Sequence, residues 1–186
     1  EEAAKLICNL EKLPLTSHNK LPKESAFVSL VHGSTESLSI PDSARIEIDF
    51  HMVPPHSVES TKERIMKWAE GLKSGNKLKG DVEIDVQMKE RKTPYSNPYI
   101  TDEKDKFVSF VADKIKRNFG KVVFNYGLSV GDENVLRRKL NIPIVTIGPA
   151  GGNAHAADEW VSLRSMEEVG QLFTSIINDF NNFCKE

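Results

Sequence analysis

The sequence predicts an α+β layer followed by an α/β segment. The order of the patterns changes from helix, strand, strand, helix, strand to helix, strand, helix, strand, helix, and a proline-containing stretch without periodicity, residues 94–97, separates them. The 186 residues, 39% of them hydrophobic, suffice for one large domain or two small ones with a core. We therefore predict two domains, residues 1–95 and 96–186.

Apolar residues spaced by three and four predict a first helix that ends at Pro14. This helix begins without a cap, which is typical of a segment taken from a longer chain. Residues 26–33 and 44–53 alternate apolar and polar positions, so we expect two neighbouring antiparallel strands. Ser60 and Glu63 have the spacing of a capping box and predict a helix over 60–72.

Residues 81–90 alternate again and are predicted to form a third strand of the same sheet. Its inward side carries Val82, Ile84, Val86 and Met88. Helices on one face of a small antiparallel sheet make an α+β layer.

In the second half, Thr101 is the expected cap of a long helix that ends before Gly120. Residues 122–126 are predicted to form a short strand and residues 132–140 a short helix. The apolar run 142–148 suits a strand buried on both faces of a parallel sheet. The last helix is expected to begin at Ser165, with Glu168 completing a capping box, and to bury Met166, Val169, Leu172, Phe173, Ile176 and Phe180.

Composition excludes several classes of protein. A net charge of -2, with charges of both signs, gives no overall field for nucleic acid or an anionic membrane. No apolar run approaches the roughly 20 residues that cross a bilayer, and the first residues lack the basic region of a signal peptide. We expect a cytoplasmic protein whose two cysteines, Cys8 and Cys184, are reduced rather than joined in a disulfide.

The stretch GPAGGNAHAADEWV, residues 148–161, is the main candidate site. It follows the predicted buried strand, and ligands of α/β sheets bind at the carboxyl ends of the strands. Gly151 and Gly152 leave room for an anionic group or a metal beside His155. The run is neither a dinucleotide fingerprint nor a P-loop, and a glycine-rich loop is also typical of a tight connection. Both interpretations stay open from the residues alone.

Other segments carry weaker signals. Residues 126–136 also follow a strand and open a helix whose N-terminus attracts anions, although Asp132 is more simply that helix's cap. The remaining histidines, at positions 18, 32, 51 and 56, are expected to face solvent or to make structural hydrogen bonds. No serine has the surroundings of a nucleophile elbow.

Two segments together resemble a known family. Residues 131–166, GDENVLRRKLNIPIVTIGPAGGNAHAADEWVSLRSM, are similar to the closing segment of the dinuclear-zinc amidohydrolase and exopeptidase family, which includes aminoacylase, carboxypeptidase G-type enzymes, acetylornithine deacetylase and succinyl-diaminopimelate desuccinylase. Residues 40–60, IPDSARIEIDFHMVPPHSVES, resemble the lid-domain hairpin of the same family. The resemblance covers nearly the whole chain in the family's order.

The resemblance implies a fold class and a set of site residues. Residues 1–95 are expected to be a smaller α+β, ferredoxin-like lid or dimerisation domain without its first strand, and residues 96–186 the C-terminal part of an α/β catalytic domain. His155 corresponds to the family's last zinc-binding histidine. Asn134 corresponds to a residue that binds the substrate carboxylate, and Gly151 and Gly152 to positions whose backbone amides do the same.

The resemblance also implies a reaction and partners. The intact protein is expected to hold two zinc ions per subunit, with cobalt or manganese as alternatives, and to cleave an amide bond of an N-acyl amino acid or small peptide. It is expected to be a homodimer through the lid. The family's other metal ligands and its general base have no counterpart in this chain, so we expect the 186 residues alone to be inactive. The alternative is a non-catalytic dimerisation or binding module in which His155 only holds a loop.

Overall fold

The computed structural model describes residues 1–33, 38, 40–127 and 130–185, and the chain divides into two compact units. The first unit comprises Glu1–Ile100 and Tyr126–Arg138, and the second comprises Thr101–Asn125 and Lys139–Glu186. The domain limits expected from the sequence, 1–95 and 96–186, stay a prediction.

Five helices and four strands are assigned in the described residues. The first unit contains helix α1 (Glu2–Cys8), a 3-10 turn (Leu10–Lys12), strands β1 (Ser25–His32) and β2 (Arg45–His51), and helix α2 (Val58–Ser74). The second contains helix α3 (Lys106–Phe119), strands β3 (Gly151–Gly152) and β4 (Trp160–Val161), and helix α5 (Leu163–Phe183). Helix α4 (Asp132–Leu140) begins in the first unit and ends in the second.

Strands β1 and β2 pair antiparallel, as the alternating patterns predict. Ser25 lies opposite His51 and His32 opposite Arg45, and the register shifts between Val28 and Leu30. Ser29 is the extra residue of this bulge, and its hydroxyl donates to the carbonyl of Glu47 at 3.4 Å. The first unit is therefore a small α+β structure.

The predicted third strand does not form. No strand is assigned among the described residues 81–90, although Val82, Ile84 and Val86 alternate with exposed neighbours as expected. The carbonyl of Val82 accepts from the Lys73 ammonium at 2.7 Å and that of Lys89 from the Tyr95 hydroxyl at 2.7 Å. The prediction was wrong because alternation reports which side chains face inward, whereas a strand also needs backbone pairing.

The strands predicted at 122–126 and 142–148 are also not assigned, so the expected α/β arrangement is not shown in the described residues. The Thr101 hydroxyl takes both backbone groups of Ile144: it accepts from the N–H at 3.2 Å and donates to the carbonyl at 2.8 Å. Ile142 stays 42% exposed, which contradicts burial on both faces.

Three helices begin earlier or later than the sequence predicts, because a different side chain caps each one. Ser57, not Ser60, caps α2: its hydroxyl accepts from the Ser60 amide, and the Ser60 hydroxyl accepts from the Ser57 amide at 2.8 Å. Asp105, not Thr101, caps α3 by accepting from Phe107 at 2.8 Å. Ser162, not Ser165, caps α5. Each observed cap is the polar residue whose backbone is extended just before the helix.

The core of the second unit lies between α3 and α5. Val111, Leu172 and Ile176 are buried, and Phe107, Phe110, Ile115, Val145 and Ile147 pack against them. The predicted burial of Met166, Phe173 and Phe180 is wrong, since these residues are 48%, 43% and 40% exposed. The apolar face of α5 is therefore wider than the part of it that α3 and the neighbouring residues cover.

Two further expectations concern the cysteines and membranes. Cys8 and Cys184 are not joined in a disulfide, as predicted, and both are exposed. Of the helices in the described parts of the chain, none combines the length and the apolar character that a bilayer-crossing segment requires. The cytoplasmic location stays a prediction.

The first unit contains a buried ion pair between Glu24 and Arg64. The Glu24 side chain is 0% exposed and that of Arg64 19%. The guanidinium donates to both carboxylate oxygens, at 3.1 and 2.8 Å, and the Thr16 amide adds a bond of 2.7 Å. Burial raises the pKa of Glu24, but the hydrogen bonds from Arg64 and from the Thr16 and Val53 amides outweigh it and leave the pKa below its ordinary value.

We predict that Glu24→Gln destabilises the protein by about 3 kcal/mol, because Arg64 then loses its partner inside the unit. Since the folded pKa of Glu24 is lowered, its ionised form stabilises the fold above the ordinary pKa of 4.5, and this contribution is lost as the pH falls through the folded value. Urea unfolding at neutral and acidic pH measures both effects. Glu63→Gln, at an exposed position of α2, is the control. An equal loss in both variants, or a loss independent of pH, contradicts the prediction.

Candidate functional site

The candidate site of residues 148–161 folds as a short β-hairpin in the second unit. Gly151 pairs with Val161 and Gly152 with Trp160 in an antiparallel ladder of two residues per strand. The seven residues between the strands, 153–159, form the loop, and His155 lies in it. The hairpin thus carries Gly151 and Gly152 in its first strand and His155 in its loop.

Both glycines are required by the close approach of Trp160. A Cβ at Gly151 would lie 2.6 Å from the Trp160 carbonyl oxygen. A Cβ at Gly152 would lie 2.6 Å from the indole Nε1 and 2.9 Å from Cε2. The two glycines therefore have a packing role in the hairpin. Their expected second role, the binding of a substrate carboxylate by their backbone amides, stays a prediction.

The loop holds three non-glycine residues in the left-handed region. The φ angles are 58° at Asn153, 63° at His155 and 57° at Asp158. The Ala156 amide donates to the Asn153 carbonyl at 2.9 Å, and the Asn153 side-chain amide donates to the Asp158 carbonyl at 3.3 Å. His155 is exposed. Left-handed backbone is unfavourable for most side chains, so these bonds stabilise a conformation that presents the imidazole to solvent.

Asn134 belongs to the first unit and lies in the first turn of α4. It is half-buried, and its side-chain amide donates to the carbonyl of Gly131 and to the Glu133 carboxylate, both at 3.3 Å. The Asn134 side chain thus stabilises the start of its own helix. Its expected role in binding a substrate carboxylate stays a prediction.

The charges around Asn134 act on Tyr99. Burial raises the pKa of Tyr99, the neighbouring Glu133 carboxylate raises it further, and Arg137 opposes them. The Arg137 guanidinium lies 5.7 Å from the centre of the Tyr99 ring. The phenol therefore stays protonated and neutral over the physiological pH range.

Three of the other histidines make hydrogen bonds and His32 is exposed to solvent, as predicted. The His51 ring pairs with the Ser25 hydroxyl at 3.1 Å and the His56 ring with that of Thr16 at 2.9 Å. His18 accepts the backbone amides of Lys20 and Leu21 at 3.1 and 3.2 Å.

A metal centre is not assembled by the residues that the structure describes. Nowhere in ranges 1–33, 40–127 and 130–185 do three or more His, Cys, Asp or Glu side chains come close enough to hold an ion. His155 is the residue that the resemblance makes a zinc ligand, and a single imidazole does not form a zinc site. The described residues therefore do not fit a complete metal centre.

A comparison with known families gives independent information on the first unit. Residues 1–76 match the peptidase dimerisation domain found in the M20 peptidases. This match supports a relationship to that peptidase family at a coarse level. It does not distinguish among aminoacylase, carboxypeptidase and deacetylase, and it identifies neither substrate nor metal.

The role of Trp160 is absent from the sequence-based predictions. The signal is the spacing of the glycine pair and the tryptophan. Two adjacent glycines eight residues before an aromatic residue are compatible with a hairpin in which the ring covers the glycine strand.

We predict that Asn153→Ala destabilises the hairpin by about 1 kcal/mol, because alanine adopts left-handed backbone less readily than asparagine and loses the bond to Asp158. Asn153→Gly keeps the backbone freedom and removes only the bond, so it should cost less. Amide hydrogen exchange of residues 150–162 measures the difference. Equal exchange in the two variants would show that φ at position 153 is not the limiting constraint.

Proposed function

We propose that this chain is part of a metal-dependent hydrolase that cleaves an amide bond of an N-acyl amino acid or small peptide. The match of residues 1–76 to a peptidase dimerisation domain is the observation that carries the proposal. Peptidases of that family are generally metal-dependent. Residues 1–95 act as the lid and dimerisation domain, and the remainder contributes to the catalytic domain.

His155 is the proposed metal ligand of this chain. Its imidazole stands exposed in a loop held in left-handed backbone, an arrangement that leaves a ring nitrogen accessible to an ion. Zinc is the proposed metal, with cobalt or manganese as alternatives, and two ions are expected per intact subunit. The substrate carboxylate is proposed to be bound by the Asn134 side chain and by the backbone amides of Gly151 and Gly152. Because one histidine binds zinc weakly, the 186 residues alone are expected to be inactive.

A non-catalytic dimerisation module is the second candidate. Two observations favour it: the family match covers only the dimerisation domain, and no cluster of metal ligands forms in the described part of the chain. In this alternative the hairpin of His155 is a structural loop. The two candidates differ in metal content and share the homodimer.

The first experiment is zinc analysis after gel filtration of the protein expressed from its intact reading frame. We expect about two zinc ions per chain, falling to one or none in His155→Ala. His32→Ala, which removes another exposed histidine, is the control and should keep its zinc. Absence of zinc from the unmodified protein, or equal zinc in both variants, would overturn the role of His155 and favour the module.

The exposed edge of strand β1 is the surface proposed to form the homodimer, and substitutions there test it. In the described residues β1 pairs with β2 only, so its other edge carries unpaired backbone groups, and Phe27, Leu30 and Val31 are 48%, 43% and 53% exposed. We predict that the double substitution Leu30→Lys and Val31→Lys weakens the dimer at least roughly tenfold without unfolding the chain. Light scattering over a concentration series measures it, with Val123→Lys, at a 76% exposed position, as the control. A strictly monomeric unmodified chain contradicts the proposal.

A further inference from the structure

The base of the His155 hairpin is closed by one side chain and two glycines. The indole of Trp160 lies on Gly152, where even a methyl group would approach the ring atoms Nε1, Cε2 and Cζ2 to 2.6, 2.9 and 3.1 Å. The Trp160 carbonyl lies equally close to Gly151. The ladder has only two residue pairs, and the indole of Trp160, a residue that stays 55% exposed, covers one of them.

The same hairpin is attached to the start of α5 by a closed set of hydrogen bonds. The Ala150 amide donates to the Ser165 hydroxyl at 2.7 Å, and the Ala150 carbonyl accepts from the Ser162 amide at 2.9 Å. The Ser162 hydroxyl in turn accepts from the Ser165 amide at 3.2 Å as the helix cap. Both polar backbone groups of Ala150 are thus bonded to the first turn of the longest helix in the unit.

The loop depends on this attachment. Three left-handed residues in the seven positions of the loop are unfavourable by themselves, and the loop is held by the turn bond from Ala156 and the side-chain bond of Asn153. A backbone of this kind persists only where the surrounding structure determines it. Here the surrounding structure is the ladder and its hydrogen bonds to α5.

We infer that Trp160 and Ser165 are positioning residues that fix the direction in which the hairpin presents His155. Trp160 acts by holding the β4 strand against Gly151 and Gly152, and Ser165 acts by anchoring Ala150 to α5. The inference rests on the proposed function, in that the presented imidazole is the one proposed to bind metal. The positioning itself is a property of the metal-free chain.

The glycines provide a test specific to the indole. Gly152→Ala places a methyl group against the Trp160 ring, so amide exchange of residues 150–162 should accelerate roughly fivefold or more. In a Trp160→Ala background the ring is gone, and Gly152→Ala should add nothing. Gly151→Ala is the matched control, because its methyl group meets the Trp160 backbone carbonyl, which Trp160→Ala does not remove. Equal effects of Gly152→Ala in both backgrounds would overturn the role of the indole.

The imidazole resonance of His155 provides the readout of positioning. In metal-free protein, Trp160→Ala and Ser165→Ala should each shift the His155 ring signal toward its unfolded position. The conservative variants Trp160→Phe and Ser165→Thr, which keep a ring and a hydroxyl, should restore it. Leu172→Ala, in the core, lowers the stability of the unit and should leave the folded-state signal of His155 in place. A His155 signal unchanged in Trp160→Ala and Ser165→Ala, or moved equally by Leu172→Ala, overturns the inference.

These measurements use no metal, so their outcome is separate from that of the zinc analysis. A shifted His155 signal supports the inference even where His155→Ala leaves the zinc content unchanged and the ligand role fails. An unmoved signal overturns the inference even where His155→Ala loses zinc and the ligand role is supported.

Discussion

The carboxylate of Glu24 connects three separate segments of the first unit. One oxygen accepts from the Val53 amide and from Arg64, and the other from the Thr16 amide and from Arg64. Burying two charges costs several kcal/mol for each ion, and only donors on both oxygens offset it. Arg64 also donates to the Pro14 carbonyl at 2.6 Å and lies 5.8 Å from the centre of the Phe50 ring. The ion pair therefore fixes helix α2 relative to the first connecting segment and to the end of β2.

The second unit is organised by apolar contact and not by a charge. Leu172 is fully buried between α3 and α5, and the rings of Phe110 and Phe183 stack at 4.7 Å. Lys114, 7% exposed, pairs with Asp179 at the edge of this contact. The remaining apolar arc of α5, with Leu163 and Ile177 at 76% and 69% exposure, continues past the covered face. Helix α5 thus has one face packed against α3 and an N-terminus capped by Ser162. The first residues of the helix also hydrogen-bond Ala150 at the base of the His155 hairpin.

The hairpin and the first unit carry different kinds of functional information. The family match to a peptidase dimerisation domain lies in residues 1–76, whereas the proposed metal ligand lies in the second unit. The chemistry of one exposed imidazole does not amount to a catalytic centre, because hydrolysis at a metal needs several ligands and a base. The geometry of the hairpin instead orients the His155 side chain. A two-residue ladder, a tryptophan on a glycine and a serine at a helix start hold a strained loop in one conformation.

The amino-acid sequence alone predicted the β1–β2 hairpin, the five helices and the resemblance that points to His155, because these depend on local periodicity and on short motifs. It did not determine the helix starts, since Ser57 and Ser60, or Ser162 and Ser165, have equally suitable side chains and only backbone conformation decides between them. It also predicted strands at 81–90 and 142–148, where the apolar pattern is present but no strand is assigned among the described residues. The folded structure was needed to show that Thr101 bonds Ile144 and that Ser165 bonds Ala150, because each of these contacts joins residues whose distance along the chain carries no pattern.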